Sequence, residues 1–268
     1  MQAVVVGSLV MDISFRVERW PSRGESMVSR CGGMTPGGKG LNQAVALTRL
    51  GTPCALVGAV GEDEIGALLM KSMESEQLST NFMTRVKDHP SGIAVPILLT
   101  DGSNAIFVDP GANYRLTIDD LSRSRTALQQ CQVLLIQLEV PQAVSIEAAK
   151  MVHHNGGLVI LDPAPFAPIS DELWQWVDII TPNAHELGRI LGIDPIKSLG
   201  EGLDAAGRLH DMYPHLNAVI ATLGNLGVAV ANGSDCFTVT AEPIVAVDET
   251  AAGDGFNAAL ASRLLAGK

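Results

Sequence analysis

No two of the four cysteines in this 268-residue chain, Cys31, Cys54, Cys131 and Cys236, stand close enough to form a CxxC pair. That excludes the common zinc and dithiol redox motifs and fits reduced, mostly buried thiols in a cytoplasmic protein. No window holds an apolar run long enough to span a bilayer. A basic leader is also lacking. Met1-Gln2-Ala3-Val4-Val5-Val6 is a short run that ends at Gly7-Ser8, so it reads as a first strand, not a signal peptide. Repeats, low-complexity segments and linkers are absent. Positive charge is in deficit, with 18 Lys and Arg against 29 Asp and Glu, and the net charge of −11 disfavours nucleic acid and anionic membranes as partners. It leaves room for a local phosphate site.

What is present is apolar. Hydrophobic residues make up 47% of the chain and charged ones 18%, enough for a full core and against disorder. Short unbroken apolar runs read as strands buried on both faces: Val4–Val6, Ala55–Val60, Val133–Ile136, Leu158–Leu161, Asp178–Ile180 and Ala218–Ala221. Helical spacing falls between them, over Asn42–Leu50, Ile65–Met73, Ile118–Leu128, Val144–Val152 and Leu203–Met212. The alternation predicts an α/β fold, a mainly parallel sheet with helices on both faces and ligands beyond the carboxyl ends of its strands. Residues 13–35 and 92–109 instead alternate polar with apolar, the second around a turn at Asp101-Gly102-Ser103-Asn104, and predict a small antiparallel flap. The plain alternative is a pair of edge hairpins without a role.

Four segments carry candidate chemistry. In Pro36-Gly37-Gly38-Lys39-Gly40-Leu41-Asn42-Gln43, consecutive glycines let the backbone approach a ligand, the following helix offers its positive end, and Lys39 adds a point charge. Gly33 to Lys39 also fits most of a P-loop, but Gly40 stands where that motif needs Ser or Thr for magnesium. In Asp248-Glu249-Thr250-Ala251-Ala252-Gly253-Asp254, small residues before a helix can form an amide nest for phosphate oxygens, and Asp254 can accept a proton from a hydroxyl. The plain alternative makes Asp254 or Thr250 an N-cap. Thr181-Pro182-Asn183-Ala184-His185-Glu186 has the spacing of a capping box and can also serve a water-rich magnesium site. Ala221-Thr222-Leu223-Gly224-Asn225-Leu226-Gly227 is either a hairpin turn or a nucleotide cradle. Asp12 and Glu139, each just past a strand, can hold hydroxyls or lie solvated.

Taken together, Gly-Gly-Lys-Gly-x-Asn-Gln at 37–43, Thr-Pro-Asn-x-x-Glu at 181–186 and the segment from Asp248 to Asp254 resemble the signatures of the PfkB carbohydrate kinase family, ribokinase branch. The resemblance covers nearly the whole chain. It implies a three-layer, ribokinase-like domain over 1–268 with a β lid from about 13–35 and 92–109, and an ATP-dependent kinase for a small sugar, ribose or deoxyribose first. Fructose or a nucleoside is the alternative acceptor, and a sugar-binding protein without turnover the alternative function. By the same resemblance Asp254 is the catalytic base and Ala251, Ala252 and Gly253 the anion hole. Asp12, Gly38, Lys39, Asn42 and Glu139 meet the sugar. Asn183, Thr222, Gly224 and Gly227 meet the nucleotide, and Glu186 serves Mg2+ through water. Asp248 and Thr250 belong to a monovalent cation site, usually filled by K+, and the lid implies a homodimer. Departures are Glu249 beside Asp248, Gly255 after the base, and an end at Lys268 where the family usually continues; the last predicts weakened nucleotide binding.

Overall fold

A strand made wholly of apolar residues has to bury both of its faces. Strands β1 (Ala3–Val6), β4 (Cys54–Gly61), β8 (Val133–Ile136) and β9 (Leu158–Leu161) do so by splitting their side chains between two cores. Val4, Val6, Leu134 and Ile136 enter one core, and Ala3, Val5, Val133 and Leu135 the other. Helices α1 (Lys39–Arg49), α2 (Glu64–Ser75) and α8 (Ala252–Leu265) cover the second core. The first is covered by α3 (Arg125–Gln130), α4 (Gln142–His153), α5 (Asp171–Trp174), α6 (Ala184–Leu191) and α7 (Leu199–Met212). The result is three layers, seen in a computed structural model that describes residues 2–100, 104–245 and 250–267. Fully burying one such Val or Leu contributes about 1.5–3 kcal/mol.

The nine strands run β13-β12-β11-β10-β9-β8-β1-β4-β5, with β5 (Met83–Val86), β10 (Ile179–Ile180) and β11 (Ala218–Thr222) completing the parallel part. Beyond it, β12 (Gly227–Ala231) and β13 (Cys236–Thr240) add antiparallel strands at one edge. A separate four-stranded sheet has the order β3-β2-β6-β7. It consists of two antiparallel pairs, β2 (Val10–Val17) with β3 (Arg30–Gly37) and β6 (Gly92–Leu99) with β7 (Asn104–Asp109), joined by a parallel register of β2 on β6.

Two local expectations change. The helix expected over Ile118–Leu128 is a 3-10 turn, Ile118–Ser124, followed by α3. A capping box between Thr117 and Asp120 starts that turn, and the helix proper begins only at Arg125. The P-loop reading fails as well, because Gly33 to Gly37 lies inside β3 of the smaller sheet instead of forming a loop between a central strand and a helix.

Candidate active site

The carboxyl ends of β1, β8, β9, β10 and β11 meet the amino ends of α1, α6 and α8 along one edge of the large sheet. Close approach there depends on missing side chains. A Cβ on Gly40 would lie 2.5 Å from the Gly7 carbonyl carbon, and one on Gly38, at φ 97°, would lie 2.9 Å from Ser8 O and Val10 N. Helix α1 starts without a side-chain cap from its own sequence. Glu139, just past β8, supplies the acceptor instead: its Oε2 takes the Lys39 N–H at 3.1 Å and the Ser8 hydroxyl. This explains why α1 begins at Lys39, three residues before its apolar spacing becomes regular.

Helix α8 begins after Ala251, whose φ of 59° lies in the left-handed region that alanine rarely adopts. No side chain caps it, so neither Asp254 nor Thr250 is the N-cap. A left-handed residue before a helix turns successive amides to one side, which is the geometry of an anion nest. Ala251, Ala252 and Gly253 line a cleft of about 190 Å³, shared with Lys39, Asp162, Thr181, Asn183, Glu186, Thr222, Asp254 and Asn257. The helix continues through Gly255, whose N–H donates to Ala251 O at 2.9 Å.

Asp254 is only 5% exposed. Its Oδ2 accepts from Asn42 Nδ2 at 2.9 Å and its Oδ1 from Gln43 Nε2 at 3.1 Å. Burial raises its pKa, opposed by the Lys39 charge and these two amides. Burial likewise pushes Asp162 up to about 8, with Lys39 opposing and Asp254, Glu186 and Glu139 reinforcing. Lys39 shows the reverse balance. Burial would lower its pKa, but Asp162, Asp254, Glu139 and Glu186 together raise it, so it stays a cation.

The capping box at 181–186 is real: Asn183 Oδ1 accepts from Glu186 N at 2.9 Å, and Glu186 Oε2 from Asn183 N at 2.8 Å. Both residues also line the cleft. Burial raises the Glu186 pKa, against the Asn183 amide, Lys39 and His185. Thr222 joins the cleft through an isolated bridge to Asn183. Gly224 and Gly227 frame the adjoining turn, at φ 58° and 118°, without lining the cleft. At Gly227 a Cβ would lie 2.0 Å from Val239 O, so only glycine fits.

A second cleft, about 120 Å³, lies towards the smaller sheet and is lined by Ser8, Val10, Val108, Pro110, Asn113, Tyr114, Glu139 and Pro165. Asp12 sits nearby on β2. Burial, then the Glu139 charge, pushes it up to about 6. Gly38 and Asn42 line neither cleft, although Asn42 reaches Asp254. Asp248 and Glu249 fall outside the described residues, so only Thr250 of the expected cation pair has a described place, next to Ala251.

Sequence reasoning missed Asp162, Thr181, Asn257 and Gln137. Asp162 gave the same signal as Glu139, an acid directly after an apolar strand. Thr181 Oγ1 donates to Asn257 Oδ1 at 2.7 Å, and Asn257 Nδ2 to Gly253 O at 3.1 Å, which anchors the nest to β10. Among the described residues no group of three or more His, Cys, Asp or Glu could hold a metal ion. No helix among them is long and apolar enough to cross a membrane.

The chain resembles known proteins along its whole length. A ribokinase from Bacillus subtilis is 34% identical over 264 residues, which is 98% of this chain and 86% of that one. The solved ribokinase of Arabidopsis thaliana complexed with ribose and ATP superposes with a TM-score of 0.89 at 33% identity, covering 100% of this chain and 86% of that one. A ribokinase from Cryptococcus neoformans var. grubii in complex with ADP gives 0.82 at 29%, covering 100% and 88%. The family model described as pfkB family carbohydrate kinase matches residues 2–268, the three sequence signatures and both clefts included. On that match, the chain belongs to the pfkB family of carbohydrate kinases.

Proposed function

We propose that this protein is an ATP-dependent ribose kinase that transfers the γ-phosphoryl group of ATP to a hydroxyl of the sugar. The observation that carries the reading is Asp254, a buried carboxylate in the first turn of α8, directly behind the Ala251–Gly253 nest and beside Lys39. Phosphoryl transfer needs alignment and neutralised charge more than covalent help. The sugar hydroxyl oxygen forms the new bond to the γ-phosphorus, the bond to the bridging oxygen breaks, ADP leaves, and Asp254 takes the hydroxyl proton. A positioned base of this kind is worth roughly 10² to 10⁴-fold. The nest amides meet the equatorial oxygens as charge develops, and Lys39 neutralises it.

The smaller sheet is the lid. Its β7 contributes Val108 to the wall of the second cleft, which Glu139 also lines; Asp12, Gly38, Lys39 and Asn42 would complete the sugar site beside it. Deoxyribose is the second acceptor on the same chemistry. The whole of 1–268 acts as one catalytic domain with this lid.

The fit for Mg2+ rests on donor chemistry. Glu186, Asn183, Asp162 and Thr181 present hard oxygens to one cleft without forming a closed carboxylate cage, which suits an ion that keeps most of its waters. Bound there, it would neutralise the phosphates. K+ is assigned to Asp248 and Thr250. Cys54, Cys131 and Cys236 are free thiols, in keeping with work in the cytoplasm. Met34, Ile106, Phe107 and Val108 are each more than half exposed on this sheet, which supports a homodimer through it.

The test is ADP formation with Mg2+ and K+ over ribose, deoxyribose, fructose and a nucleoside, with Asp254→Asn as the control. Ribose-dependent turnover that the control loses by 10²-fold or more is expected. Turnover that is equal in the control, or absent with every sugar, contradicts the reading.

A further inference from the structure

Behind the catalytic carboxylate lies a polar chain that touches neither cleft. Gln43 is fully buried in α1. Its Nε2 donates twice, to Asp254 Oδ1 at 3.1 Å and to Asp162 Oδ2 at 3.0 Å. Its Oε1 accepts from Gln137 Nε2 at 2.7 Å, just past β8. One carboxamide thereby joins α1, α8 and the ends of β8 and β9.

The polarity of this chain is fixed. Asp254 Oδ1 and Asp162 Oδ2 both accept from the Gln43 nitrogen, so its oxygen faces away. Gln137 then has to donate, and its own Oε1 is left buried without a partner. A buried polar atom without a partner is destabilising. Room for it comes from the missing side chain at Gly7, where a Cβ would lie 2.1 Å from Gln137 Oε1.

We infer that Gln43 is a positioning residue of the kinase, fixing the plane of the Asp254 carboxylate from behind, with Gln137 locking Gln43 in turn. The inference rests on the reading of Asp254 as the base. Asn42 holds one Asp254 oxygen and Gln43 the other, so the carboxylate cannot rotate without breaking a bond. The two donors also favour its ionised form against burial. The charged groups around it are Lys39 from α1 and Asp162 from the end of β9, with Glu139 beyond β8 and Glu186 on α6 further out.

The test uses the full chain as Gln43→Leu, Gln43→Glu and the milder Gln137→Met. With ribose and ATP, kcat should fall roughly 10²-fold in Gln43→Leu, the scale of a misplaced reacting group, while the sugar KM stays near wild type. The acid limb of the kcat profile should move to higher pH, furthest in Gln43→Glu and least in Gln137→Met. A second readout needs no turnover. In protein carrying carboxyl-¹³C aspartate, the Asp254 resonance, identified by its loss in Asp254→Asn, should titrate at higher pH in each variant. An Asp254 midpoint unmoved in every variant that folds overturns the inference whatever the activity. Lack of sugar-dependent turnover in the wild type overturns the kinase reading instead.

Discussion

The two clefts differ in how their polar groups are spent. In the cleft under the nest, buried carboxylates and Lys39 face each other around open space, and their titration is displaced by burial and mutual charge. In the cleft beside the smaller sheet, most of the lining is Val10, Val108, Pro110, Tyr114 and Pro165, and Ser8, Asn113 and Glu139 are already engaged. Ser8 donates to Glu139, and Asn113 bonds the backbone of Leu9 and Pro110 at 2.7–2.9 Å. The cleft under the nest, to which we assign the chemistry, is therefore organised by the three-layer core. The other, to which we assign sugar recognition, is shared with a smaller sheet whose strands keep large apolar side chains exposed. Pre-set dipoles where charge develops cost no reorganisation at the moment of reaction.

Removing the cation should break the contrast most severely. Lys39→Met leaves Asp162, Asp254, Glu139 and Glu186 without their shared positive partner. We expect kcat to fall about 10²–10³-fold, the scale for losing one electrostatic stabiliser. The Asp254 pKa should also rise, because Lys39 is the strongest force lowering it. A pH-rate profile reads both, and a variant with full activity at neutral pH would show that the cleft does not depend on its charge balance.

The next effect is on stability. Gly40→Ala would press a methyl group against Gly7 and Ser8 backbone at 2.5–2.7 Å, where nothing flexible can yield. Overpacking of this kind costs typically about 1–3 kcal/mol. Urea unfolding should show the loss, whereas Gly253→Ala, with open space around its Cβ, should change stability far less.

The smallest effect concerns Asp162. Its folded pKa of about 8 lies above its ordinary value of 3.8. The unfolded chain releases this proton at lower pH than the folded chain, so the group's contribution is fully present below about 4 and is lost as pH rises towards 8. Asp162→Asn should therefore raise Tm at pH 8 and change it little at pH 4. An equal change at both pH values would mean that Asp162 is not held in its neutral form.

Much of this architecture was legible in the chain. Val133–Ile136 and Leu158–Leu161 are strands with the bounds that their apolar runs give. A run apolar on both faces has few other ways to be buried. By contrast β13, Cys236–Thr240, is exposed along its whole length, so no burial pattern announces it. The site was legible where residue type and spacing combine, as in Gly37–Gln43 and Ala251–Asp254. It was not legible where a role comes from a distant neighbour. Asp162 looks like any acid after a strand until Gln43, 119 positions away in sequence, is seen to bond it. Helix α1 gives no cap signal because its first amide is served by Glu139, 100 positions on.

The central claim is that Asp254 takes the proton from the sugar hydroxyl. The most direct measurement is the single-turnover rate of phosphoryl transfer to ribose across pH 4 to 9, at saturating ATP and sugar. Asp254 must be ionised to act, and its pKa is raised by burial, so the rate should fall on the acid side at a pH above that of an ordinary carboxylate. In Asp254→Asn that limb should disappear together with most of the rate. A wild-type rate unchanged down to pH 4, or an acid limb retained in Asp254→Asn, would contradict the account.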